Sequence, residues 1–271
     1  MDFAKYFPDQ ILVGTPISLT DCRVLRPYLL ERVGISADRV SNCSVIMLAV
    51  PYAVPCEKRT VSMYAVAKDY HAYFDALFAS VLPALRADFP GHVFAGFADH
   101  SPIAEVEAAC KSGLGILGAN GLLLTREHSS YVFLGEIITT LPTDNVALPV
   151  RHCPDCGACR RACPVQLCKQ DCLSDLTQKK GELDAAQAER LRNHPLVWGC
   201  DTCQEACPYT VAARRAGTLY TKIPYFLEDL LPAPDTAAID GMSDEDFACR
   251  AYAWRGRNTI KRNILIKEEK Q

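Results

Sequence analysis

The chain reads as an α/β (α+β) domain over residues 1–150, a cysteine-rich module over 151–212 and a short helical tail over 213–271. Three observations carry that reading. Short apolar runs alternate with amphipathic stretches through the first 150 residues. Composition then changes abruptly at Arg151, after a linker from Pro142 to Pro149. Beyond it, cysteines crowd together between Cys153 and Cys207, with a Cys-Pro step at Cys163-Pro164 and again at Cys207-Pro208.

Thr20 or Asp21 is a candidate cap for a first helix, which Gly34 stops after Val33. Cys43 to Pro51 is a short apolar run that reads as a buried strand. From Lys68 to Phe89, residues Tyr70, Phe74, Leu77, Phe78, Val81 and Leu85 recur at three and four, an amphipathic helix that contains Pro83. Val93–Phe97 reads as another strand. Asp99-His100-Ser101-Pro102 reads as a strand-to-helix turn, with Pro102 opening a helix to Cys110 or Lys111. The glycine-rich loop Gly113–Gly121 follows. Leu122–Thr125 and Tyr131–Thr140 are β-rich, and the polar link between them suggests a hairpin, so the sheet is expected to be mixed. Residues 211–242 read as irregular. Ser243 with Asp246 forms a capping-box pattern before a helix on Phe247.

At 271 residues, 49% of them hydrophobic, the chain can bury a sizeable core. Its net charge of −3 carries no global nucleic-acid signature. The final stretch differs. Arg255, Arg257, Lys261, Arg262, Lys267 and Lys270 face only Glu268 and Glu269, about +4 locally. The N-terminus lacks a basic region followed by an apolar one, and no apolar stretch is long enough for a bilayer, so a cytoplasmic protein is expected. In that compartment fourteen cysteines read as metal ligands or thiols, not disulfides.

Cys153, Cys156, Cys159 and Cys163 form C-x2-C-x2-C-x3-C-P, a pattern for 4Fe–4S clusters. Cys200, Cys203 and Cys207 repeat it with one cysteine displaced. The fourth cysteine of such a run ligates the other cluster. One set is therefore Cys153, Cys156, Cys159 and Cys207. The other is Cys163, Cys200 and Cys203 with either Cys168 or Cys172. Zinc also takes paired C-x2-C, but needs neither a third equally spaced cysteine nor two Cys-Pro steps. Cys43 and Cys110 lie in apolar segments and read as small buried hydrophobes.

Gly113-x-Gly115-x-x-Gly118 matches a dinucleotide fingerprint only superficially, because it follows a helix and precedes β structure. A tight loop with positive φ and a close approach to a bulky ligand are the remaining readings. Asp99 reads either as a helix cap or, if burial raises its pKa, as a general acid.

Several motifs together resemble the epoxyqueuosine reductase family over roughly residues 40–265. They are Lys68-Asp69-Tyr70-His71, Asp99-x-Ser101-Pro102, G-L-G-x-x-G-x-N ending at Asn120, and F-L-G-E-I over Phe133–Ile137. The most specific are C-L-S-D-L-T over Cys172–Thr177 and W-G-C-D-T-C-Q-E-A-C-P over Trp198–Pro208. The resemblance favours Cys172 over Cys168. It implies a nitroreductase-like domain that binds cobalamin beside two 4Fe–4S clusters, fed by a low-potential donor such as ferredoxin or flavodoxin. It implies reduction of epoxyqueuosine in tRNA to queuosine, with Asp99 as proton donor. The implied cobalamin contacts are Ser62, Tyr64, Gly113, Gly115, Gly118, Asn120, Leu123, Leu134, Ile137, Ser174 and Asp201. Three departures stand out. Ala119 replaces the family's loop lysine, Met63 replaces an arginine, and the chain reads as a short form without the helical-repeat domain that grips tRNA. The basic tail is then the candidate tRNA contact, or simply a solvated helix face. The rival functions are a related corrinoid reductase acting on a small molecule, as reductive dehalogenases do, and a non-catalytic electron-transfer protein.

Overall fold

The apolar run after Cys43 becomes a strand in which all eight residues, Ser44–Pro51, are buried. A strand covered on both faces loses the usual alternation and reads as a continuous apolar run. The structure, a computed structural model, describes residues 2–56 and 58–269. The chain divides into two units, one of Met1–Pro51 with His71–Cys156, the other of Tyr52–Tyr70 with Gly157–Gln271.

The strands of the first unit are β1 (Leu12–Val13), β2 (Ile17–Ser18), β3 (Ser44–Pro51), β4 (Phe94–Phe97), β5 (Ile116–Leu117), β6 (Leu123–Leu124) and β7 (Val132–Thr139). β3 and β7 pair along their full length, from Ser44 opposite Thr139 to Pro51 opposite Val132. β4 lies on the other side of β7, while β1 and β2 both pair with β3. Every one of these pairings is antiparallel, which corrects the expected mixed sheet and makes the unit α+β. The reason is the position of β7. β3 and β4 point the same way, as strands joined through a helix do, but β7 slots between them and runs against both. That placement also removes the expected hairpin. Both edges of β7 are occupied, so β6 pairs with β5 of the glycine loop instead. Only a tight turn closed by Thr125 and Ser129 survives.

The helices of this unit are α1 (Pro27–Arg32), α2 (Tyr70–Asp88) and α3 (Glu105–Lys111). α1 is shorter than its sequence pattern, because Leu19–Asp21 forms a separate 3-10 turn and Pro27 starts the helix proper. α3 begins three residues after Pro102. α2 lies so close to one face of the sheet that two strand positions must be glycine. A Cβ on Gly135 would sit 2.3 Å from the Phe74 ring, and one on Gly96 would sit 2.5 Å from Phe78. Ala108, Ala109 and Cys110 of α3 join a core with Val45, Met47, Ala49 and Ile138. Side chains alternate along a strand. Leu134 and Glu136 therefore share the α3 face of β7, whereas Gly135 and Ile137 face α2.

The second unit contains α4 (Ala158–Ala162), α5 (Leu173–Gln178), α6 (Ala185–Asn193), α7 (Thr202–Glu205), α8 (Pro208–Ala216), α9 (Thr236–Gly241), α10 (Asp244–Ala248) and α11 (Arg257–Glu268). α8 and α9 occupy part of the stretch expected to be irregular. Ser243 caps α10 as its pattern predicts, accepting from the Asp246 amide. α11 packs on α5, α6 and α9. Its Asn263 is fully buried and donates to the carbonyls of Thr177 and Val197 at 2.7 and 2.8 Å. Its cations are used internally. Arg262 reaches the Lys179 carbonyl at 2.7 Å, Lys261 pairs with Asp240 at 2.7 Å and Arg257 with Asp244 at 3.0 Å. Lys270, counted in the basic tail, lies outside the described residues. Among the described residues no helix is long and apolar enough to cross a membrane.

Candidate functional site

Asp99 sits where β4 hands over to α3, with φ of 62°, in the left-handed region that non-glycine residues seldom occupy. Its side chain is 68% exposed and lies 3.7 Å from His71 Nε2 on α2. The neighbouring His71 imidazole holds the Asp99 carboxyl below the usual carboxylate range, against a smaller opposing effect of burial. The rise in pKa that would make Asp99 an acid is therefore not present in this arrangement. The turn continues into a fixed frame. The Ser101 hydroxyl donates to the Glu136 carboxylate, and Ser101 Oγ accepts from the Ile103 amide at 3.1 Å. Arg26 donates to the Ser101 carbonyl at 2.8 Å. A cavity of about 430 Å³ runs along the turn, lined by His71, Phe74, Phe78, Phe97, His100 and their neighbours.

Two acids beside the turn escaped the sequence reading. Glu136 is fully buried in the middle of β7. Burial drives its carboxyl well above the usual range, and Glu105 adds to the effect. Glu105, in the first turn of α3, is pushed up to about 7, first by burial and then by the charge of Asp99. A signal for Glu136 existed: it is the one charge in the apolar run from Tyr131 to Ile138. Glu105 had none beyond its place in a first helical turn.

The glycine loop shows two different uses of glycine. Gly113 needs its φ of 86°. Gly115 and Gly118 need the missing Cβ instead, which would lie 2.4 Å from the Leu124 carbonyl oxygen and 2.5 Å from Asn120 Oδ1. Both approaches are to the loop's own neighbours. Asn120 accepts from the Leu122 amide, and its Nδ2 is buried without an acceptor. Leu123 and Ile137 are buried core residues on their strands, and Leu134 packs partly buried against the α3-side core.

In the second unit, Ser62, Tyr64 and Asp201 come together, and they do so as structure. The Asp201 carboxylate accepts from the Ser62 hydroxyl, the Met63 amide at 2.7 Å, Gln204 Nε2 at 3.1 Å and Arg59 at 2.6 Å. Tyr64 accepts from Trp198 Nε1 at 2.8 Å, and Trp198 is fully buried against Tyr252. Gly199, at φ 69°, lets the chain pass Ser62, since a Cβ there would lie 2.4 Å from the Ser62 Cβ. Its amide donates to Thr177 Oγ1 at 2.8 Å, which ties W-G-C-D-T-C to C-L-S-D-L-T. Ser174 is engaged with Gln178 in α5. Arg59, which nothing in the sequence singled out, also pairs with Glu205 at 3.0 Å. With Asp201 and Arg214 it lines a cavity of about 1120 Å³.

Among the described residues no disulfide joins the cysteines. Cys153 Sγ accepts the Ala119 amide at 3.3 Å. α4 and α7, which carry Cys159 and Cys203, pack together. Burial raises the Cys200 thiol, and Thr202 opposes it; Cys172 is half-buried. Cys168 is exposed and bonds to Gln170. Among the described residues no group of three or more His, Cys, Asp or Glu side chains is gathered closely enough to hold a metal ion.

The class defined by this architecture is an α+β sheet domain joined to a cysteine-rich helical module. Comparison with known proteins narrows it. No family model matches the chain. An epoxyqueuosine reductase of Listeria monocytogenes is 30% identical over 244 residues, 82% of this chain and 63% of the relative. One from Pseudomonas aeruginosa is 34% identical over 170 residues, 59% of this chain and 46% of the relative. The chain spans less than two thirds of the length of these relatives. The Streptococcus thermophilus epoxyqueuosine reductase structure shares the fold with a TM-score of 0.73 at 24% identity, covering 94% of this chain and 76% of that one. A structure of epoxyqueuosine reductase with a tRNA-Tyr epoxyqueuosine-modified stem loop matches with a TM-score of 0.73 at 22% identity, covering 97% and 78%. The chain is a relative of the epoxyqueuosine reductases, matched over most of its own length.

Proposed function

We propose that this protein is a cobalamin-dependent iron–sulfur reductase that removes the epoxide oxygen of epoxyqueuosine in tRNA. The observation that carries the reading is the Asp99 turn, a strained acid-bearing loop beside a cavity, in a chain whose relatives are epoxyqueuosine reductases. On this reading the first unit is nitroreductase-like and the cysteine module is ferredoxin-like. Cys153, Cys156, Cys159 and Cys207 hold one 4Fe–4S cluster, and Cys163, Cys172, Cys200 and Cys203 the other. The eight thiols suit soft iron, the Ala119 amide suits a charged Cys153 sulfur, and the half-buried Cys172 suits a ligand better than the exposed Cys168. Asn120 fits a cobalamin contact, because its buried Nδ2 lacks an acceptor. Ser62 and Asp201 serve that reading by tying two distant segments of the second unit together. The bound corrinoid and clusters supply low-potential electrons from a ferredoxin or flavodoxin.

Converting an epoxide to an alkene takes two electrons and two protons, and the oxygen leaves as water. Asp99 supplies a proton to that oxygen, since a neutral leaving group departs more easily than an alkoxide. To act as an acid, Asp99 must first take up a proton, and His71 Nε2 is a carrier at hand. The phosphate contacts of the tRNA fall to surface cations, with the tail a candidate only where its side chains can leave their internal partners.

The test is anaerobic reconstitution with iron, sulfide and cobalamin, gel filtration, then incubation with an epoxyqueuosine-containing anticodon stem loop and a chemical reductant. Corrin absorption that co-elutes with the protein, and queuosine in the product, are the expected results. Corrin binding without conversion of the stem loop moves the substrate to a small molecule. Failure to retain any corrin contradicts the reading.

A further inference from the structure

Glu105 and Glu136 meet inside the first unit. Each has one carboxyl oxygen that is buried with no hydrogen-bond donor, Oε1 of Glu105 and Oε2 of Glu136. Their surroundings tie them to the Asp99 turn. The Ser101 hydroxyl donates to Glu136, and Glu105 lies near enough to Asp99 to feel its charge. The remaining charged or titratable groups that face the pair are Arg26, the Asp99 carboxylate and the Cys22 thiol. Burial pushes Cys22 up to about 12, so it stays protonated.

Two carboxylates in contact, each with an oxygen lacking a donor, are not stable side by side as anions in a buried site. One proton shared between them removes the repulsion and gives the orphaned oxygens a partner. We infer that Glu105 and Glu136 form an acid pair holding one proton, and that this pair positions the Asp99 turn by gripping it at the Ser101 hydroxyl, two residues from Asp99. The pair touches no substrate. It fixes the left-handed backbone at Asp99 only while its net charge is −1. The inference rests on the proposed role of Asp99 for its functional meaning, but not for its test.

The raised carboxyls give the sign of the pH dependence. A carboxyl raised on folding contributes stability that is complete below its unfolded value and is lost as pH rises through its folded value. For Glu105 that loss runs upward from its ordinary value of 4.5 and is complete above about 7. Above it the pair becomes a dianion and releases the turn.

The direct measurement is hydrogen–deuterium exchange of the peptide spanning residues 98–103, corrected for intrinsic base catalysis, from about pH 5.5 to about pH 8.5. Protection in the unaltered protein is expected to fall at least about tenfold as pH passes the folded value. Glu105→Gln keeps the shape and supplies an amide donor to Glu136 without a titrating proton, so its protection should show no such step. A flat profile in the unaltered protein overturns the inference, as does the same step in Glu105→Gln. Neither readout needs turnover, so inactive protein on epoxyqueuosine would count against the proposed function alone. If both stand, the alkaline limb of the turnover–pH profile is expected to disappear in Glu105→Gln.

Discussion

Two buried acidic centres, one in each unit, show how differently a carboxylate can be used. Around Asp201 every lone pair has a donor, from a hydroxyl, an amide, a side-chain amide and a guanidinium. Around Glu105 and Glu136 two oxygens have none, and the neighbouring Asp99 is exposed on a strained turn. A saturated carboxylate is fixed in charge and position, which suits a structural tie. Carboxylates short of donors must hold or trade protons, which suits a place where chemistry happens. The contrast also separates two residues to which the sequence motifs gave different roles. Asp201, which the resemblance places at a cofactor, is held by four donors from its own unit, while Asp99 is exposed.

The largest expected effect is on the saturated side. Asp201→Ala leaves the Arg59 guanidinium buried without its closest partner, and breaking such a pair costs about 3–5 kcal/mol. Urea unfolding of the reconstituted protein should show that loss, and a change below about 1 kcal/mol would mean that water replaces the carboxylate freely. A smaller, compositional effect distinguishes the two candidate ligands. Cys172→Ser should lose about half of the bound iron after reconstitution, whereas Cys168→Ser should keep it. Equal iron in both variants would assign the second cluster differently. The pH step at the Asp99 turn, about tenfold in exchange protection, is the smallest of the three and sharpens the acid side of the comparison.

Much of this was legible from the chain. β3, α2 and β4 fall where apolar runs and three–four spacing place them, because each buries a continuous face and the pattern needs no partner to be read. The Ser243 cap was readable for the same reason, being a contact over three residues. Strand order was not. β7 enters between β3 and β4 from far along the chain, and no local signal records which edge a strand will take. The glycine loop shows the same limit. Its spacing was visible, but not that Gly115 and Gly118 serve the approach of the Leu122–Leu124 segment. At the site, the Asp99 motif was readable through its resemblance. The pair behind it was not, because Glu105 and Glu136 are thirty-one positions apart and meet only once β7 and α3 pack.

The most direct test of the contrast is to neutralise each acid and measure stability and turnover side by side, with Asp99→Asn and Asp201→Asn in fully reconstituted protein. Asp99→Asn is expected to keep its unfolding midpoint, cluster iron and corrin spectrum yet lose about 10²–10⁴-fold in conversion of the epoxyqueuosine stem loop. Asp201→Asn should instead lose unfolding stability first. Asp99→Asn that turns over at the unaltered rate would contradict the account.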